Sequence, residues 1–173
     1  FGPSTPTITF GGNSSVLSAS GTQSISGTGL LDMALGTSDR IEPANGTDVL
    51  TLGAGVTVQG NGTVGDTDAS TRVVNEGLIE ASGGTLTVRN ADNNGTMNIL
   101  AGATLSLTET WLTAEVGTVT NAGGTFQLSG ILNNTGATLT LSATTGQLVL
   151  AGGTIQNGTL ATLDTTGLTQ SAA

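Results

Sequence analysis

Residues 73–107 read VVNEGLIEASGGTLTVRNADNNGTMNILAGATLSL, and the second half of this stretch repeats the first. Asn75-Glu76-Gly77 answers to Asn93-Asn94-Gly95. Leu78-Ile79-Glu80 answers to Thr96-Met97-Asn98-Ile99. Gly83-Gly84-Thr85-Leu86-Thr87-Val88 answers to Gly102-Ala103-Thr104-Leu105-Ser106-Leu107. The copies stand about 18–19 residues apart, close to the short end of solenoid periods. Each copy holds two short apolar runs separated by Asn and Gly, the outline of a coil made of strand, corner, strand, corner.

Within a run the apolar residues alternate. In Thr85-Leu86-Thr87-Val88, Leu86 and Val88 share one face and the threonines the other, which is the period of a strand. One coil is too thin to bury Leu86 or Val88 by itself. A second coil laid on it covers them with Leu105 and Leu107, and pairs backbone groups at the ~4.8 Å spacing of neighbouring strands. Each backbone bond contributes only ~1 kcal/mol net, so the stability of such a stack is collective.

The pattern extends in both directions. Residues 1–12 contain Pro3 and Pro6 followed by Thr7-Ile8-Thr9-Phe10, and are expected to form an N-terminal arm or edge strand, because proline cannot serve a central ladder. Residues 13–47 read as weak coils. Leu30 to Leu35, the best helical candidate, is bracketed by Gly29 and Gly36 and is read as a strand or short cap. Residues 48–161 are clear coils, with GDTDASTR (65–72) as a polar loop and Thr108 to Val116, around the sole tryptophan Trp111, breaking the spacing. Residues 162–173 are expected to be a polar tail. The whole chain is thus read as a single β-solenoid domain, all-β, with irregular coils of about 18–21 residues, roughly 7–9 of them, and a length of ~35–45 Å. Its core stack is expected to be Leu86, Val88, Leu105, Leu107, Phe126, Leu128, Leu139 and Leu141.

A tripeptide Gly-Thr-apolar recurs at Gly62, Gly84, Gly95, Gly117, Gly124, Gly153 and Gly158. Glycine is expected there for a corner conformation that a Cβ would forbid, and threonine to begin the strand. Asn precedes many of these corners, where it tolerates left-handed backbone and bonds its own main chain. Stacked Asn side chains would also ladder along the corner.

The run from Leu50 to Leu107 resembles the repeat regions of bacterial secreted surface proteins. These include autotransporter passengers, filamentous-haemagglutinin-like adhesins and large exported proteins with C-terminal sorting signals. The resemblance covers residues 48–161. It implies a right-handed parallel β-helix and a place outside the cell or on its surface. No sorting tail, membrane barrel or secretion domain accompanies it, which leaves the export route open. The chain starts at Phe1 rather than Met, as a mature product or an excised fragment would.

Composition narrows the function. The 173 residues carry three Lys+Arg against 12 Asp+Glu, a net charge of −9. No basic stripe exists to meet nucleic-acid phosphates. There is no Cys or His, so Cys-based metal sites and the usual nucleophilic triads and dyads are excluded. No apolar run approaches the ~20 residues of a membrane-spanning helix.

Carboxylates are the remaining chemistry. Asp66, Asp68, Glu76, Glu80, Asp92, Glu109 and Glu115 are read as solvated charges that keep the protein soluble, not as a glycosidase pair. Asp66/Asp68 and Asn90 to Asn93 are oxygen-rich, but match neither an EF-hand nor a β-roll repeat, and read as polar turns rather than Ca²⁺ sites. Trp111 reads as packed under a loop rather than as a sugar platform. Asn13, Asn45, Asn61, Asn94, Asn133 and Asn157 fit glycosylation sequons, though corner geometry already explains Asn-Gly-Thr. The Thr-x-Thr pairs at Thr7, Thr85, Thr118 and Thr138 are too irregular for an ice-binding array.

No enzyme, cofactor or metal site is therefore expected. The expected role is that of a structural extracellular protein, a subunit of a self-assembling surface fibre or matrix. Its expected partner is itself, in a head-to-tail homopolymer joined through Phe1, Ile8 and Phe10 at one end and Ile155 and Leu160 at the other. An adhesin segment that binds glycans is the alternative, and a carbohydrate-active enzyme or an ice-binding protein ranks below both.

Overall fold

The computed structural model describes residues 5–163 and 167–170. Strand accounts for 55% of the chain and helix for 2%, and the strands stack as a parallel β-solenoid of about 7 turns. At ~4.8 Å per turn the stack is roughly 35 Å tall.

The first coil comprises β1 (Thr7–Thr9), β2 (Val16–Ala19) and β3 (Thr22–Ile25). The second comprises β4 (Gly29–Met33), β5 (Arg40–Pro43) and β6 (Val49–Leu52). β7 (Val56–Val64) with β8 (Arg72–Asn75), and β9 (Leu78–Val88) with β10 (Ala91–Asn93), make the next two. Then follow β11 (Thr96–Ile99), β12 (Thr104–Leu107), β13 (Thr110–Leu112) and the single turn α1 (Thr113–Val116). The sixth coil holds β14 (Thr118–Asn121), β15 (Thr125–Leu128), β16 (Ile131–Asn133) and β17 (Thr138–Leu141). β18 (Leu148–Leu150), β19 (Thr154–Gln156), β20 (Thr159–Thr162) and β21 (Leu168–Gln170) close the stack.

The register follows the internal repeat. Asn75 lies opposite Asn93, Leu78 opposite Thr96, and Thr85 opposite Thr104. Inward positions form columns. Leu31, Val58, Ile79, Met97 and Val119 run down one face. Leu86, Leu105, Phe126 and Leu148 run down the second. Nearly every member of these columns is removed from water, so each coil buries the residues of its neighbour.

Several expectations need correction. Coils of about 18–21 residues recur through the middle and C-terminal coils but not at the N-terminal end. Ile79 faces Met97, 18 residues on, but Leu31 faces Val58, 27 residues on. The extra length lies in corner loops, which add residues without changing the strand columns. Leu139 and Leu141 are buried, as are the other six residues of the expected core stack. They nevertheless stand in a different column, because β17 pairs with β20 and not with β15. Residues 56–64 form one strand with a bulge between Gly60 and Gly62, where two strands and a corner were expected. The 162–173 tail contributes β21, which pairs with β18. Leu30 to Met33 lies in β4, as the reading of this segment as a strand expected, and the one helical turn among the described residues, at Thr113–Val116, was not expected.

Trp111 explains the broken spacing. It is fully buried, and its indole N–H donates to the Thr108 carbonyl at 2.7 Å. It heads a sheet absent from the earlier coils, β13–β16–β19, in which Trp111, Leu132 and Ile155 stack. It thus sits in a core strand rather than under a loop. Beside it α1 lies against β10, where the Asn93 amide donates to the Val116 and Thr118 carbonyls. The later coils therefore carry an additional side.

Glycine at the recurrent tripeptide has two causes. Gly62, Gly117 and Gly158 have positive φ, as expected of a corner. Gly84, Gly95, Gly124 and Gly153 do not. A Cβ on Gly95 would strike the carbonyl oxygen of Gly77 in the coil before, and one on Gly153 that of Leu128. Close approach of stacked backbones, not torsion, selects glycine at Gly95, Gly124 and Gly153, whereas a Cβ on Gly84 would meet the Asn61 side chain.

Candidate functional site: two open ends

The carboxylates are dispersed over the surface. Glu76 is exposed. Glu80 accepts a 2.7 Å bond from the Asn98 amide, whose oxygen in turn accepts from the Thr120 hydroxyl at 2.8 Å. These three residues are consecutive members of one outward column, so Glu80 belongs to a ladder and is not a free charge. Asp92 and Glu115 both pair with Arg72, at 3.5 and 3.1 Å. Glu115 also accepts from the Leu112 backbone N–H and so holds α1 in place. Asp66 and Asp68 cap their own loop, accepting from the backbone N–H groups of Thr67 and Ser70. Their carbonyls are held by the Asn90 amide. Glu109 sits at a corner with positive φ. Among the described residues no three acidic side chains converge into a metal-binding group.

The remaining motifs distribute similarly. Asn90 is a buried clamp on the 65–71 loop, and Asn93 lies in a strand, so residues 90–93 are not a turn. Among the sequon residues Asn61 is buried in the β7 bulge, whereas Asn45, Asn94 and Asn157 are exposed at corners. Thr85, Thr118 and Thr138 lie on β9, β14 and β17, whose partner columns differ. Among the described residues no helix is long and apolar enough to cross a membrane.

What the arrangement leaves unfinished is its two ends. β1, β2 and β3 each pair on one side only, with β4, β5 and β6. β19, β20 and β21 likewise pair on one side only. Among the described residues the outer edges of all six strands carry no ladder partner. An unpaired edge is a template for further strand pairing.

The core columns also end uncovered. Ile8 faces Leu31, Leu17 faces Ile41 and Ile25 faces Leu52, so all three point inward. Yet Ile8 is 57% exposed, because no described strand covers it. A pocket of about 190 Å³ opens there, lined by Pro6, Ile8, Ile25, Leu30, Leu31 and Val56 among others. At the opposite end Ile155, Leu160 and Leu168 occupy inward positions opposite Leu132, Leu139 and Leu148. Leu160 is 41% exposed and Leu168 38%.

Of the five residues expected at the joint, Ile8, Ile155 and Leu160 stand at the open ends. Phe10 does not contribute: it is only 6% exposed and packs into the core. Its backbone N–H is taken by the Asp32 carbonyl, which pins the side chain under the first coil. Phe1 lies outside the described residues. Leu17, Ile25 and Leu168 were not expected at the ends. Their register with Ile41, Leu52 and Leu148 reveals them, and that register is not visible in the weak N-terminal repeats. Comparison with protein-family models, with curated proteins and with solved structures yields no match. Function must therefore be argued from these surfaces.

Proposed function

We propose that this chain is a structural extracellular protein, the subunit of a surface fibre or matrix built by end-to-end stacking of β-solenoids. The observation that supports the reading is the coincidence, at both ends, of unpaired strand edges with uncovered inward-facing aliphatic side chains. Ile8, Leu17 and Ile25 offer one such layer, and Ile155, Leu160 and Leu168 the other. Joining the two layers extends both the backbone ladder and the aliphatic columns across the junction. The contact is heterologous, so it propagates as a filament unless it closes into a ring. A net charge of −9 keeps the flanks of neighbouring filaments apart.

Electron microscopy and sedimentation of the purified chain over a concentration series test this. Rods of constant width and concentration-dependent length are expected. A monodisperse particle one solenoid long at millimolar concentration overturns the proposal.

A further inference from the structure

Positive charge is scarce in this chain and is unevenly used. Its three basic residues are Arg40, Arg72 and Arg89. Arg72 is neutralised by Asp92 and Glu115. The other two line one polar cleft of about 430 Å³, together with Ser14, Thr37, Ser38 and Thr63. Stacking brings them together. Arg40 lies opposite Thr63, Thr63 opposite Thr87, and Arg89 follows two residues later.

The two guanidinium groups are incompletely satisfied. Arg40 is paired through Nε with Glu42 at 3.5 Å, and no other partner meets it among the described residues. Nε of Arg89 is buried and has no hydrogen-bond partner, and among the described residues no carboxylate forms an ion pair with the group. A buried charged donor without an acceptor is unfavourable, and a chain with 12 acidic residues would be expected to supply one. Neither acidic residue flanking Arg40 forms an ion pair with Arg89 among the described residues. Glu42 holds Arg40, and Asp39 is fully buried, with Oδ1 accepting from the Ser15 N–H and Oδ2 without a hydrogen-bond partner.

We propose that this cleft is a binding site for an acidic saccharide, with the sugar carboxylate held between Arg89 and Arg40. A guanidinium fork matches a carboxylate in two parallel hydrogen bonds. The hydroxyls of Ser14, Thr37, Ser38 and Thr63 offer both donors and acceptors to sugar hydroxyls. Apart from Val16 the lining is polar, and it holds no aromatic residue, which suits a polyhydroxylated ligand better than an apolar peptide side chain. The site runs along the outward column Val16, Arg40 and Thr63 on the side of the stack and reaches β2 in the first coil.

The test uses the intact chain and trigalacturonate as probe. Because the chain holds three arginines, three arginine Nε–H signals are expected in its ¹⁵N NMR spectrum, apart from the Trp111 indole. Saturable shifts of the Arg89 and Arg40 signals, with that of Arg72 unmoved, are expected. The neutral methyl ester of the same trisaccharide should bind at least ~10-fold more weakly, as the loss of a charge-assisted bond requires. Arg89→Gln should weaken binding to the same degree. Arg40→Gln, at a half-exposed side chain, should weaken it several-fold while leaving the circular dichroism and melting curve unchanged, which keeps the test valid if Arg89→Gln fails to fold. The proposal is overturned if trigalacturonate moves none of the three signals, or moves that of Arg72 equally. It is also overturned if the methyl ester, hexaglutamate or inorganic sulfate binds as tightly as the acid.

Discussion

The side-chain amide of Asn75 donates a 2.7 Å hydrogen bond to Oδ1 of Asn93, and both side chains are buried within the solenoid. They occupy inward positions directly below Leu52 in the same column. The chain is thus polar inside at this corner, and every polar atom there is used. Asn75 Oδ1 accepts from the Gly77 N–H, and the Asn93 amide reaches the Val116 and Thr118 carbonyls. Asn93 therefore ties the β-coil before it to the helical turn after it.

Truncating this residue should be costly in proportion. Asn93→Ala takes the amide donor from two carbonyls and costs the Asn75 amide its shortest bond, and a loss of about 1–3 kcal/mol is expected. Urea unfolding of parent and variant measures it. A variant of unchanged midpoint would mean that water replaces the amide at this corner.

Glycine positions should divide into two groups when tested with alanine. Gly95→Ala forces a methyl group into the Gly77 carbonyl and should destabilise by about 1–3 kcal/mol, the usual penalty of overpacking. Gly11→Ala meets nothing within 4 Å and has ordinary φ, so its midpoint should stay within ~0.5 kcal/mol of the parent. Equal effects at the two sites would remove close coil approach as the reason for glycine at position 95.

Leu105 is the central test of the core. It is inaccessible to water and lies between Leu86 and Phe126 in adjoining coils. Leu105→Ala should lower stability by about 2–5 kcal/mol. Leu105→Asp places an uncompensated charge in an aliphatic column and should abolish cooperative unfolding across the adjacent coils. Hydrogen exchange of the β9, β12 and β15 amides reads the result strand by strand.

The end-to-end contact makes a prediction with a built-in control. Ile8→Lys spoils one end and Leu160→Lys the other, and both side chains are exposed enough that each monomer should fold normally. Neither variant alone should form filaments. An equimolar mixture retains one sound end of each kind and should stop at heterodimers, visible by sedimentation. Long filaments in the mixture, or filaments from either variant alone, would exclude a joint made through these two residues.

The alternation of Leu86, Val88, Leu105 and Leu107, and the match of Asn75 to Asn93, are local enough to be read from the chain. They set the all-β class and the register of the middle coils, because period-two patterning and repeat spacing both act along the sequence. Ile8, Ile155 and Leu160 were legible as candidates for the ends by the same logic. Residues whose role depends on what stacks above them were not. Phe10 looks like an exposed arm residue until β1 is seen to pair with β4, which folds it under the core. Leu139 and Leu141 repeat the motif of Leu105 and Leu107, yet β13 and α1 insert a new side and shift them to another column. Gly95 seems to serve a turn until the Gly77 carbonyl is placed beside it. Arg40 and Arg89 are far apart in the chain, and only the stacking of coils of unequal length brings them to one cleft. The sequence by itself determined the strands and what each buries, since hydrophobic periodicity is a property of neighbours in the chain. The tertiary structure alone decided which strands share a face, where backbone approaches backbone, and which charges remain unpaired, since coil length varies and contacts across coils depend on its accumulated sum.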